Sequence, residues 1–308
     1  MAFKSHASGI AASVYLAIYS IFFAFTINIV FRVGWRSFYT ALAVYGIFRF
    51  SGQLCAVVFS VLGYTYWQWL VAYLVFTAEG YFMLILISYF LIAQAQEESF
   101  GTSWIGPSKK DRKRNAELAT TKLGKLKAKF PIAVIFHLLL IPANVLIIVG
   151  GSQLAGISIQ DANNESSKVH TSKIMRTAGQ SVFLFQTVAA IGFASYCYFV
   201  EKIRHINIYT IFAVAPFITI RGIFGILSIY IQKMNYYDFT NYTVEGLSSS
   251  FVTYEYVLAT TMEFVTALGY IANYYIRANR KKGQLEKVHL MEEVNDTDEP
   301  TLEKKIEA

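Results

Sequence analysis

The chain has 308 residues, 55% of them hydrophobic, 16% aromatic and only 15% charged, with a formal net charge of +7. Ordinary globular domains carry about a quarter charged residues, so a single soluble core could not hide this much apolar surface, whereas a bilayer can accept it. The basic excess does not point to nucleic acid, because most of it lies in the connections between apolar runs, where membrane proteins collect Lys and Arg.

In chain order, the first apolar run, 9–31, is too long for the apolar region of a cleavable signal peptide and lacks a small-residue cleavage site. It is expected to insert as a first helix. A spanning helix needs about 20 mostly apolar residues, and further runs that qualify lie at 38–62, 67–94, 130–150, 178–200, 208–231 and 251–276. The fifth is the most polar, with Gln180, Ser181 and Gln186 in its first half. The predicted fold is therefore all-α, a polytopic bundle of seven transmembrane helices over 1–276, with a basic connection at 95–129 and a disordered cytosolic tail at 277–308. Cys55 and Cys197 both fall inside apolar runs and read as small buried hydrophobes.

The connections set the orientation. Those at 32–37, 95–129 and 201–207, with the start of the tail, hold seventeen Lys or Arg against five on the opposite set. The positive-inside rule makes the first set cytosolic, which puts the N-terminus outside and the C-terminus in the cytosol. Two sequons, at Asn164 and Asn241, lie in connections placed outside and are candidate N-glycosylation sites. Tyr64, Tyr66, Trp67, Trp69, Tyr236, Tyr237 and Tyr242 crowd the outer boundary and Trp35 marks the inner one, as interfacial aromatics do.

Connection 95–129 opens with Glu97 and Glu98, passes Gly106-Pro107 and turns strongly basic from Lys109 to Arg114. Residues 108–129 have few helix breakers and could lie at the interface, where each basic residue adds about 1 kcal/mol of attraction to anionic lipid. The segment either fixes topology or contacts lipid or a cytosolic partner. The tail from Gly283 is acidic and poor in apolar residues, a composition that favours disorder.

Ionisable residues within the hydrocarbon are expensive and mark function by default. Arg49, Glu79, Arg221 and Glu263 all fall near the predicted midplane, and their charges cancel. Neighbourhood in the chain suggests pairing Arg49 with Glu79 and Arg221 with Glu263. Gln53 follows Arg49 by four residues and shares its face. Asn144 follows Pro142, and Pro216 precedes Arg221, so each proline frees a backbone carbonyl nearby. These six, Arg49, Gln53, Glu79, Asn144, Arg221 and Glu263, form the candidate ligand cluster.

Catalytic chemistry is not indicated. The histidines are scattered, and the sequence has no HExxH, Cys-x-x-Cys, GxSxG or Walker pattern, so no metal, cofactor or catalytic residue is assigned and the chain is read as a non-enzyme. The triplets that mark G-protein-coupled receptors are missing from the third and seventh runs.

Gly46-Ile47-Phe48-Arg49-Phe50-Ser51-Gly52-Gln53 and Pro216-Phe217-x-x-x-Arg221-Gly222-Ile223-Phe224 resemble the signature of uncharacterised fungal seven-transmembrane-helix membrane proteins, similar in layout to the RTA-like family of lipid-translocating exporters. The resemblance covers 9–276 apart from 95–129. It implies a fungal source, lipid transport and a role for Arg49 and Arg221. The combined expectation is a multi-pass protein of the plasma membrane or an endomembrane that binds or translocates an amphipathic lipid or small molecule. A non-classical receptor or sensor acting through 95–129 and an endomembrane adaptor without ligand are the alternatives. Membrane lipids are the expected partners, and nucleic acid is not.

Overall fold

The structure, a computed structural model, describes residues 3–119, 121, 131–154, 167–243 and 246–303; within these, the side chains of Tyr64, Lys109, Lys281 and everything from Gln284 onward are not described. The helices are α1 His6–Val33, α2 Phe38–Leu62, α3 Gln68–Phe100, α4 Lys109–Leu118, α5 Ile132–Ser152, α6 Ser167–Phe199, α7 Ile206–Tyr230, α8 Ser249–Glu255 and α9 Met262–Glu303. A π-helical segment, Tyr256–Thr261, joins α8 to α9. Among the described residues six helices (α1, α2, α3, α5, α6 and α7) are long and apolar enough to cross a membrane, the layout of a multi-pass protein.

Polarity is arranged inside out. Ile21, Phe25, Leu138, Ile141, Phe185, Val188 and Ile223 are exposed, while Arg49, Gln53, Gln186, Glu263 and Asn273 are buried. Water would favour the reverse. Hydrocarbon favours this, because it solvates apolar side chains and leaves polar groups to find partners in the interior.

Consecutive helices pack as antiparallel neighbours: α1 on α2, α2 on α3, α5 on α6, α6 on α7, and α7 on α9. α3 is the hub and also touches α5, α6, α7 and α9. Its 33 residues exceed what the hydrocarbon requires, so its last turns project from the face opposite the N-terminus. There Ser103 donates to Gln96 Oε1 (2.8 Å), Trp104 Nε1 donates to Glu201 Oε1 (2.6 Å) and Ile105 is fully buried. The first part of 95–129 is thus folded onto the bundle. α4 follows, capped by Ser108, whose Oγ accepts from Asp111 N at 3.2 Å.

The face that carries the N-terminus is roofed by residues 231–243 and 246–248. A short antiparallel pair, Tyr242–Thr243 with Gly246–Leu247, has Tyr242 opposite Leu247, and Ser5 Oγ donates to Leu247 O at 3.3 Å. Asn241 is buried in this roof, and its Nδ2 donates to the carbonyls of Gln232 (2.6 Å) and Asn235 (2.9 Å). That nitrogen is the atom a glycan would occupy, so in the folded chain Asn241 is a turn-forming amide without free access. Asn164 lies outside the described residues. Peptide N-glycosidase is accordingly expected to leave the gel mobility of N164Q unchanged; a shift in that variant would place sugar on Asn241.

At the other end α9 continues to Glu303. The tail expected to be disordered from 277 is helical at least that far. Its composition lacks a core-forming face, but Arg, Lys, Gln, Leu and Glu between Arg277 and Glu293 are strong helix formers, and the helix above supplies a ready nucleus.

Candidate functional site

The interior holds one carboxylate between two guanidinium groups. Glu263, in the first turn of α9 and fully buried, accepts from Arg221 Nε of α7 at 2.5 Å, and its other oxygen lies 3.1 Å from Arg49 Nε of α2. Aromatic side chains complete the shell: Arg221 lies over the Tyr81 ring at 4.7 Å and Arg49 over Tyr19 at 5.4 Å. Tyr19 Oη also accepts from Arg49 Nε at 3.4 Å and shares a hydrogen bond with Tyr45.

Gly80 makes this arrangement possible. A Cβ at that position of α3 would come 2.7 Å from Arg49 Cδ and 3.3 Å from Glu263 Oε2. The missing side chain is the space the ion cluster fills. Glu79, one residue earlier and about 100° around the helix, faces α5, where its Oε1 accepts from Asn144 Nδ2 at 2.5 Å. The expected pairing of Arg49 with Glu79 is therefore replaced by Arg49 with Glu263, while the pairing of Arg221 with Glu263 is present. The six predicted residues separate into an ionic core (Arg49, Arg221 and Glu263), a distinct Glu79–Asn144 contact, and Gln53, whose Oε1 accepts from Tyr256 Oη at 3.1 Å.

A second buried carboxylate, Glu255, joins the interior from the end of α8. It accepts from Tyr73 Oη at 3.0 Å. The sequence places Glu255 and Glu263 eight positions apart, which in a regular α-helix turns the second side chain ~80° away from the first. The π-helical segment between them absorbs about one residue and returns the two carboxylates to within roughly 20° of a common face. Its register is held by side chains: Thr261 Oγ1 donates to Tyr256 O (2.6 Å), Tyr15 Oη meets Thr261 Oγ1 (2.6 Å), and Tyr19 Oη donates to Thr260 O (3.3 Å).

Beside this cluster, towards the N-terminal face, lies a cavity of about 100 Å³ bounded by α3, α5, α6, α7, α8 and the roof. Arg221 and Glu255 reach it from below, and Thr77, Arg176, Gln180 and Tyr237 line its sides. Thr77 Oγ1 and Gln180 Oε1 are buried there without hydrogen-bond partners. A space of this size and polarity admits a small polar group. A larger cavity, about 1080 Å³, opens at the opposite face, where Tyr39, Tyr89, Phe136 and Tyr274 line it below a polar rim that includes Glu98 and Arg277. Along α3 the first cavity reaches Ala78 and the second begins at Leu86. The intervening turns, roughly 12 Å of helix, hold Gly80, Tyr81, Leu84 and Ile85, all buried.

Neither the π-helical register nor the roles of Gly80, Arg176 and Glu255 follow from the sequence pattern. A glycine directly beside a membrane glutamate was the available signal for a close approach. Compared with known proteins, the chain matches no family model, no curated protein and no solved structure.

A polar cluster sits at the opposite face, on the rim of the larger cavity. Glu98 Oε1 accepts from Arg277 Nη2 (2.5 Å), and Glu98 Oε2 lies 2.9 Å from His205 Nε2. His205 also caps α7, its Nδ1 accepting from Asn207 N at 3.2 Å. That geometry requires the neutral tautomer with hydrogen on Nε2. Burial, with Arg277 and Arg280 nearby, outweighs the attraction of Glu98 and holds the imidazole below its usual range. As pH falls through the ordinary histidine range, near ~6.5, the unfolded chain takes up this proton before the folded chain does. Stability is then lost from that point downward, until the folded imidazole is protonated too. The unfolding midpoint of the wild type should fall more between about pH 7 and 5 than that of H205N, which keeps a capping side chain and does not titrate; parallel profiles would remove His205 from this role.

Proposed function

We propose that the chain is a seven-span membrane protein, N-terminus outside and C-terminus cytosolic, that binds or translocates an amphipathic lipid or small molecule through the polar cavity beside the midplane cluster. The asymmetry of basic residues supports the orientation. The rod formed by α8, the π-helical segment and α9 supplies the seventh span, burying Glu255, Thr260, Glu263, Thr266 and Asn273 in the same interior as the other six.

The observation that carries the reading is the cavity itself. Arg221, paired with Glu263, and Glu255, which accepts from Tyr73, still reach open space where Thr77 and Gln180 have polar atoms without partners. A scaffold would be more stable with that space filled by apolar side chains. Two cavities on opposite sides of a buried ionic and aromatic layer also suit a molecule that enters from one face and is released at the other.

The test uses purified protein with a fluorescent short-chain phospholipid and a fluorescent alkylamine, measuring binding in detergent and transbilayer movement in proteoliposomes. The wild type should bind at least one probe saturably. Ser228→Trp, which fills the cavity while leaving every ion-pair residue in place, should lose that binding. If neither probe binds, or if S228W binds as well as the wild type at equal abundance, the reading fails.

A further inference from the structure

Arg176 stands apart from the other interior arginines. Arg49 and Arg221 each pair with Glu263, but among the described residues no carboxylate lies within ion-pair distance of Arg176. The residue is only 9% exposed, and its Nε has no hydrogen-bond partner. Its guanidinium lies over the Tyr237 ring at 4.4 Å, and its stem runs along Gly150, where a Cβ would meet Arg176 Cγ at 3.0 Å. The residue lines the same cavity that Arg221 and Glu255 reach.

A buried guanidinium without an acid is expensive, and a ring face offsets only part of that cost while leaving N–H groups unsatisfied. The fold could have supplied a carboxylate here, as it does for its other buried arginines. Among the described residues it supplies instead a glycine that lets the stem in, an aromatic ring that orients the fork, and open space in front.

We infer that Arg176 is an anion-recognition residue, and that the cavity takes a ligand bearing a phosphate or carboxylate group. This rests on the reading of the cavity as an amphiphile site and specifies the charge of the occupant. Arg suits the role because its planar fork offers several charge-assisted hydrogen bonds to one oxyanion. Glu255, on the same cavity, repels an anion and so confines it to the Arg176 side. Gln180 Oε1, an unpartnered acceptor, is matched by a hydroxyl or amine elsewhere on the same molecule.

The experiment follows thermal unfolding of the full-length protein in neutral detergent during titration with inorganic phosphate, dioctanoyl phosphatidate and dioctanoylglycerol. The wild type should be stabilised saturably by the phosphatidate, less by phosphate, and least by the diacylglycerol. Without ligand, R176Q should unfold at an unchanged or higher temperature, because it loses an unpaired buried charge; a structural arginine would give the opposite. With phosphatidate, its response should shift at least about tenfold to higher concentration, as expected for a lost charge-assisted hydrogen bond, while its response to dioctanoylglycerol stays the same. A second variant, S152D, offers Arg176 an internal carboxylate from the cavity wall and should abolish the anion response without removing the arginine.

If wild type responds equally to the charged and uncharged lipids, or both variants keep the phosphatidate response, the anion assignment falls and the amphiphile reading stands. If phosphate alone stabilises the wild type and R176Q loses that effect, the anion site stands and the amphiphile reading falls. No response to any probe overturns both.

Discussion

Removing Glu263 is expected to destabilise the protein more than removing either of its arginine partners. Glu263→Gln leaves Arg49 and Arg221, 1% and 5% exposed, without a counter-charge. Breaking one buried pair costs about 3–5 kcal/mol, and this substitution breaks two ionic contacts at once. Arg49→Met or Arg221→Met leaves Glu263 paired with the remaining guanidinium, so each single loss should be smaller, and Arg221 should matter more because its contact is shorter and aligned as a hydrogen bond. Unfolding midpoints in detergent, or resistance to denaturing detergent, give the order. The triple variant R49M/R221M/E263M removes every charge and should recover most of the stability lost in E263Q, since apolar replacement of a complete buried ionic group is often neutral or better. It should not recover probe binding. Equal losses for all three single variants would mean that the carboxylate is not shared.

Gly80→Ala is the second large effect, and its sign is the informative part. Alanine in place of a helical glycine normally adds up to about 1 kcal/mol of stability. Gly192 of α6, where nothing lies within reach of an added Cβ, should behave that way, with G192A neutral or slightly stabilising. At Gly80 the methyl group would sit 2.7 Å from Arg49 Cδ, and the Arg49–Glu263 contact depends on where that stem lies. Overpacking of this kind costs about 1–3 kcal/mol, and displacing Arg49 from Glu263 adds to it. G80A should therefore lower the unfolding midpoint and reduce probe binding together. A midpoint equal to that of G192A would mean that the arginine can move aside freely and that the cluster tolerates rearrangement.

These two expectations link fold to function through one element. α3 carries the glycine that seats the ionic cluster, the Tyr81 ring that stacks on Arg221, and the wall of each cavity. In the proposed translocation, a ligand moving between the faces must pass or rearrange this layer. The π-helical segment opposite has its register set by the hydroxyl groups of Tyr15, Tyr19 and Thr261.

The sequence by itself determined that this chain builds apolar helices suited to a bilayer, and it singled out charged residues within them. Runs of about 20 apolar residues leave few alternatives to helices in lipid, and the six helices that meet this test lie within a few residues of the expected bounds, except where α3 and α6 run on past the hydrocarbon. Position along a span also pointed to Arg49, Arg221 and Glu263, which the structure buries in contact with one another. Depth is one coordinate of two, however. Which way a residue points around its helix depends on how neighbouring helices rotate against one another, and that is settled by packing. The tertiary structure alone therefore decided that Gly80 and not Glu79 faces Arg49, that one carboxylate serves two arginines, and that a widened turn brings Glu255 inward. It alone left Arg176 buried beside a polar cavity. The physical reason is that a charge in the interior is stabilised by direction and distance, both set by side chains far away in the chain.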